Sequence, residues 1–215
     1  MGLIRAVALT LFATPAAACE TALLLTVDVS NSVDEAEYRL QIDGMADALS
    51  DGEIVDALVQ GRVAIAVMQW SGESRQELSI PWTRIAGVAD TQALSAAARA
   101  IPRAFVMSDT APGDAILAAL DLFGPVADCG RRVLDVSGDG TPNAGRDVRH
   151  GRIAAERAGV TINAIAIESL GRTITNFYER AVITRYGFVM TARGHRDYPE
   201  AIRRKILREL SRVLG

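Results

Sequence analysis

Three short stretches of this chain set oxygen atoms at spacings that suit a hard divalent cation. In Asp28-Val29-Ser30-Asn31-Ser32 a carboxylate is followed by hydroxyls at alternate positions. Asp109-Thr110-Ala111-Pro112-Gly113-Asp114 puts a hydroxyl just ahead of a helix start, and Ser137-Gly138-Asp139-Gly140-Thr141-Pro142-Asn143 follows an apolar run. Mg²⁺ takes oxygen ligands in octahedral geometry. Asp28, Ser30, Ser32, Thr110 and Asp139 would supply five. Each stretch alone also reads as a turn or a helix cap; it is their combination that points to a metal.

Alternating elements are what must carry these loops to one place. Strands are expected at Ala22–Asp28, Arg62–Trp70, Arg132–Ser137, Val160–Ile167 and Gly187–Met190. Gln76–Ile80 reads as an antiparallel edge strand with Pro81 as its stop. Helical spacing covers Asp34–Ser50 (Tyr38, Ile42, Met45 and Leu49 on one face), with Asp51-Gly52 as its closure. Further helices are expected at Thr91–Ile101, Gly113–Phe123, Asp147–Ala158, Ile174–Val182 and Tyr198–Val213. This alternation implies an α/β fold, a doubly wound, mostly parallel six-stranded sheet with helices on both faces. Such sheets bind ligands at the carboxyl ends of their strands, where all three loops fall.

The Asp-x-Ser-x-Ser loop, the Thr three residues before Gly-Asp-Ala, and the later Gly-Asp-Gly together resemble the von Willebrand factor A domain and its metal-ion-dependent adhesion site (MIDAS). The resemblance spans residues 19–215 in order and spacing. The chain is also similar to an uncharacterised family of exported bacterial von Willebrand A-like proteins. The resemblance implies that Ser30, Ser32 and Thr110 bind Mg²⁺ (or Mn²⁺ or Ca²⁺) through hydroxyls, and Asp28 and Asp139 directly or through water. It further implies that a carboxylate from a partner protein or peptide fills the sixth position, so that the domain binds, in adhesion or assembly, without catalysis. The family's usual Thr before the later Asp is Gly138 here, which removes one hydroxyl near the site. The family also implies that the last helix can slide to shift the third loop.

Residues 1–18 read as a secretory signal peptide. Arg5 precedes the apolar run Ala6–Thr14, and small residues lead up to Cys19. Lipidation at Cys19 would want a larger apolar residue where Ala16 stands, so an unanchored, periplasmic or secreted protein is expected. No other stretch reads as a transmembrane segment. Cys19 lies nine residues before Asp28 and Cys129 ten before Asp139. With parallel neighbouring strands, both cysteines fall at the sheet end opposite the carboxylates, which favours a Cys19–Cys129 disulfide over two free thiols.

The net charge of −3 becomes −4 once Arg5 is removed, which argues against nucleic acid as a partner. Gly140 to Asp147 has P-loop glycine spacing, but Arg146 and Asp147 stand where Lys and Ser or Thr belong, which argues against nucleotide. His150 and His195, the two histidines, lie away from the three loops in sequence, and no Gly-x-Ser-x-Gly elbow occurs. The alternative is a Mg²⁺-dependent hydrolase or phosphoryl-transfer enzyme with Asp28 as nucleophile. That chemistry wants a second acid two residues on and a nearby Lys, whereas position 30 is Ser and the chain's one lysine is Lys205. Trp70, Glu168 and Asn143 sit at the ligand edge as candidate partner contacts, and Asp109 and Asp114 either tune the site or cap a helix. The Arg203-Arg204-Lys205 run with Arg208 reads as a solvated helix face.

Overall fold

The computed structural model describes residues 19–169 and 171–211. The expected signal peptide and the last residues of the expected final helix, including Val213, lie outside them. Among the described residues no helix is long and apolar enough to cross a membrane.

Six strands form one sheet: β1 (Thr21–Asp28), β2 (Ala64–Trp70), β3 (Gln76–Arg84), β4 (Arg131–Gly138), β5 (Thr161–Ile167) and β6 (Val189–Ala192). Their spatial order is β3-β2-β1-β4-β5-β6, with β3 antiparallel to β2 and every other pair parallel. β1, β2 and most of β4 and β5 are buried on both faces, which is why they read as continuous apolar runs rather than alternating ones. Among the described residues seven α-helices cover the sheet: α1 (Glu35–Leu49), α2 (Gly52–Gln60), α3 (Val88–Arg99), α4 (Pro112–Asp121), α5 (Val148–Ala158), α6 (Thr173–Phe177) and α7 (Tyr198–Leu210). Leu23, Leu25 and Val27 of β1 pack with α1, α2, α3 and α7 in one core. Ala22 and Leu24 pack with α4, α5 and the segment after α6 in the other.

The order turns at β1 and β4, where crossovers leave in opposite directions, and the ends of these neighbours form the crevice that holds the site. At the other end of the same strands, Cys19 and Cys129 form a disulfide. It is continued by Gly130 N–H donating to the Cys19 carbonyl, and Arg131 N–H to that of Glu20, both at 2.9 Å.

Three local expectations are corrected. Asp51-Gly52 does not close α1 into a loop. Asp51 accepts from the backbone N–H of Glu53 and Ile54 and so starts α2, whose Ile54 and Leu58 enter the core. Pro81 does not stop β3, because an edge strand can spare one N–H; the register slips around Pro81 and Trp82 and pairing resumes at Thr83. The helix after β5 breaks into α6 and a π-turn over Tyr178–Val182, which buries Tyr178 and Val182.

The basic run on α7 is not uniformly solvated either. Lys205 is fully buried, 2.7 Å from Asp135 Oδ2 of β4 and 2.6 Å from Glu209 Oε1 one turn on. Asn163 of β5 also donates to Glu209 Oε1, at 2.8 Å. Burial, reinforced by the Glu209 charge and opposed by Lys205, pushes the Asp135 carboxyl up to about 7. Arg203 instead reaches outward to Asp51 and Glu53.

Candidate metal centre

β1 ends on Asp28, and the turn that follows folds Ser30 N–H back onto Asp28 Oδ1 at 2.8 Å. Ser30 Oγ lies 3.1 Å from Ser32 Oγ, which donates to Asp139 Oδ1 at 2.6 Å. Asp139 comes directly after Gly138, the last residue of β4. Thr110 approaches from the loop before α4. Its N–H donates to Asn143 Oδ1 at 2.8 Å, and its carbonyl accepts from Asn143 N–H at 3.1 Å. A Cβ on Gly140 would lie 3.8 Å from Thr110 Oγ1. Thus the fold brings Asp28, Ser30, Ser32, Thr110 and Asp139 from three loops into one crevice.

The loops are tied independently of these side chains. Arg103 donates to the carbonyls of Val29 and Ser30 at 3.1 and 3.0 Å, and Asn31 N–H donates to the Ser108 carbonyl at 2.8 Å. Asp114 Oδ2 accepts from Arg146 N–H at 2.7 Å, so this acid fastens the third loop to α4. Gly113 permits that approach, because a Cβ there would overlap the Arg146 carbonyl. The placement of the five oxygen-bearing residues is therefore set by the scaffold.

Electrostatically the crevice is poised against itself. Burial, then the charge of Asp139, pushes the Asp28 carboxyl up to about 7 against the pull of its Ser30 hydrogen bonds and Arg103. Asp28 Oδ2 is buried with no hydrogen-bond partner. Two carboxylates, one of them missing a partner, beside three hydroxyls fit a hard cation, which would remove the repulsion and satisfy the oxygens. Among the described residues no cluster of three or more His, Cys, Asp or Glu side chains is arranged to hold a metal; hydroxyls make up most of this donor set.

The candidate partner contacts divide. Trp70 is fully buried between the helices and the sheet, so it is no surface anchor. Ending β2 on the inward side of the pleat, it packs under the site. Glu168 is also buried. It accepts from the backbone N–H of Thr175 and Ile174 at 2.6 and 3.3 Å and so holds the start of α6, not a ligand. Asn143 remains at the rim. Its Oδ1 is used by Thr110, and its exposed remainder lines an open cleft of about 450 Å³ with Asn31, Ser32, Met107, Ser108, Asp109 and Thr110.

Two residues near the site were not visible in the sequence. His195, on the turn before α7, places Nδ1 3.1 Å from Glu37 Oε1 and Nε2 3.9 Å from Asp139 Oδ2. Tyr178 turns its hydroxyl to the underside of Gly138. Both meet the crevice through chain crossovers, so no local spacing announces them. For Tyr178 the one clue is the missing side chain at 138.

The family described as protein of unknown function (DUF1194) matches residues 18–214. No curated protein is similar enough in sequence to match the chain. Proximal thread matrix protein 1 from the mussel byssus, with a zinc-occupied MIDAS motif, superposes with a TM-score of 0.64 at 19% identity, covering 90% of this chain and 46% of its own. The pilus adhesin SpaC of Lactobacillus rhamnosus GG gives 0.65 at 12% identity, covering 90% and 30%. The von Willebrand factor type A protein of Catenulispora acidiphila gives 0.65 at 15%, covering 89% and 43%. The chain spans less than half the length of each. Likeness at such identities shows the fold, which is that of von Willebrand A domains.

Proposed function

This chain belongs to the DUF1194 family and has the von Willebrand A fold, and on that premise we propose that it is an exported, divalent-cation-dependent protein-binding domain. Asp28, Ser30, Ser32, Thr110 and Asp139 hold Mg²⁺ (Mn²⁺ or Ca²⁺ in its place), and an acidic group of a protein or peptide partner completes the coordination. The observation that carries this reading is the buried Asp28 carboxylate, lacking a partner on Oδ2 and facing Asp139 among three hydroxyls. Two carboxylates only neutralise a divalent ion, so an incoming carboxylate gains both a ligand position and charge attraction. The zinc-occupied MIDAS motif of the mussel protein and the likeness to the pilus adhesin SpaC support the same reading. The partner would act in the periplasm or outside the cell, for adhesion or assembly.

The rim suits a protein partner. Val106 and Met107 are 64% and 87% exposed, and Met107 holds a left-handed φ of 50° that pushes its side chain outward beside the cleft. Arg103 and the Arg75 guanidinium over the Phe105 ring brace this loop. An apolar knob beside a cation would select an acidic residue flanked by an apolar one.

The hydrolase alternative has less support. Asp28 is fully buried, and Lys205, the only lysine, is held by Asp135 and Glu209 in the core under α7. Peptide display in Mg²⁺ and in EDTA tests the proposal. Acidic peptides captured only with Mg²⁺, and lost when Asp or Glu is amidated, are the expected result. Capture unaffected by EDTA would contradict it.

A further inference from the structure

Directly beneath the crevice, three polar atoms are buried with no partner: Asp28 Oδ2, Trp70 Nε1 and Tyr178 Oη. Asp28 Oδ2 and Tyr178 Oη both border Gly138. A Cβ built there would overlap the Tyr178 hydroxyl, lie 3.0 Å from Asp28 Oδ2 and 3.3 Å from Trp70 Cζ2. The phenol and the carboxylate oxygen thus border one small space, and a side chain at 138 would occupy it.

A buried carboxylate oxygen without a donor is costly, and so is a buried hydroxyl without an acceptor. Here one of each faces the other. Burial, with the charges of Asp28 and Asp139, holds the Tyr178 phenol well above its usual range. A phenol is protonated at neutral pH, so the hydroxyl can serve as a donor. Tyr178 continues α6 and opens the π-turn that follows it, where its side chain is fully buried.

We propose that Tyr178 is a positioning residue for the metal centre, its hydroxyl donating through one bridging water to Asp28 Oδ2 in the space that Gly138 leaves open. The donor orients the carboxylate, so that Asp28 is presented to the cation from the other side. In this way a tyrosine from a distant turn takes the place of the hydroxyl absent at position 138. The assignment rests on the cation-binding reading of the site.

The test measures Mn²⁺ affinity by electron paramagnetic resonance, and melting in EDTA, for the purified wild type, Tyr178→Phe, Gly138→Ser and the double variant. Tyr178→Phe keeps the buried ring and loses one hydroxyl, so its metal-free melting temperature should change little while Mn²⁺ affinity falls about 10–100-fold. Gly138→Ser alone should melt lower, because its Cβ meets the Tyr178 hydroxyl. The double variant, with the oxygen gone and a new hydroxyl at 138, should regain binding. Wild-type affinity in Tyr178→Phe overturns the assignment. So does a loss of affinity matched by an equal loss of metal-free stability, or a double variant that regains nothing, since either assigns the effect to ring packing. A wild type that takes up no Mn²⁺ removes the cation reading and this assignment with it; uptake by wild type and Tyr178→Phe alike removes this assignment alone.

Discussion

Asp28 meets two opposing demands. It ends a fully buried strand, where a charge is expensive, and it faces a second carboxylate across the crevice. Removing that charge should help the metal-free fold and end metal binding. Asp28→Asn should therefore melt higher than wild type in EDTA at pH 8, by about 2 kcal/mol or more, and should show no further rise with Mg²⁺. Scanning calorimetry with and without Mg²⁺ checks both signs, and a variant that melts lower in EDTA would show that the carboxylate is not strained. That Asp28, Ser30 and Ser32 fall together was legible, because alternation along a strand and the loop after it is a local property. Trp70 was not: a strand-end tryptophan can face in or out, and only the neighbouring Tyr178 and Ala66 layer decides it. Met107 gave no sign either, since its exposure comes from a loop braced by Arg103 and Arg75.

The element with most at stake is α7. Lys205 joins it to β4 through Asp135, and Glu209 joins it to β5 through Asn163. Breaking such a cluster strands a buried charge, so Lys205→Met should cost about 3–5 kcal/mol in urea unfolding. A neutral result would mean that the carboxylates share a proton easily without the ammonium. The same cluster gives a pH dependence. Asp135 titrates near 7 in the fold against an ordinary value of 3.8, so the native state holds a proton that the unfolded chain has released. Stability in EDTA should therefore fall as pH rises from about 4 to 7, with Asp28 adding to the same trend. Asp135→Asn should flatten part of that slope, and an unchanged slope would place the titration elsewhere. These anchors also oppose the sliding that the family resemblance led us to expect of this helix. The cluster was readable in hindsight: Lys205 and Glu209 are one turn apart and share the stripe of Tyr198, Ala201 and Ile202. A charged run simply reads as solvent-facing until its partner strand is known. α2 was missed for a related reason, as Asp51-Gly52 serves equally as a turn or as a cap and first residue.

At the scale of the whole molecule the two ends of the sheet are fastened separately. The disulfide fixes the start of β1 to the loop before β4, a closure over 110 residues, and the proposed cation site lies where the same two strands end. Replacing both cysteines by serine should lower stability by about 2–5 kcal/mol, while Mn²⁺ affinity stays within a few-fold, because the Arg103, Asp114 and Asn143 ties hold the loops by themselves. Parallel loss of affinity in an otherwise folded variant would show that the loops depend on the far end. The topology and the pairing of the cysteines were legible because apolar runs, helical spacing and cysteine offsets all pointed to one sheet. What the crossovers bring together, His195 with Asp139 and Tyr178 with Gly138, was not, since it depends on packing angles that no local pattern encodes. The measurement that tests the central claim most directly is melting of the purified wild-type chain in EDTA and in millimolar Mg²⁺ or Mn²⁺, beside Asp139→Ala. Metal at about 100 times its dissociation constant should stabilise the wild type by about 2.7 kcal/mol, a rise of about 5–10 °C, and leave Asp139→Ala unmoved. An unmoved wild type, or an equal rise in both proteins, would contradict a cation held by these five residues.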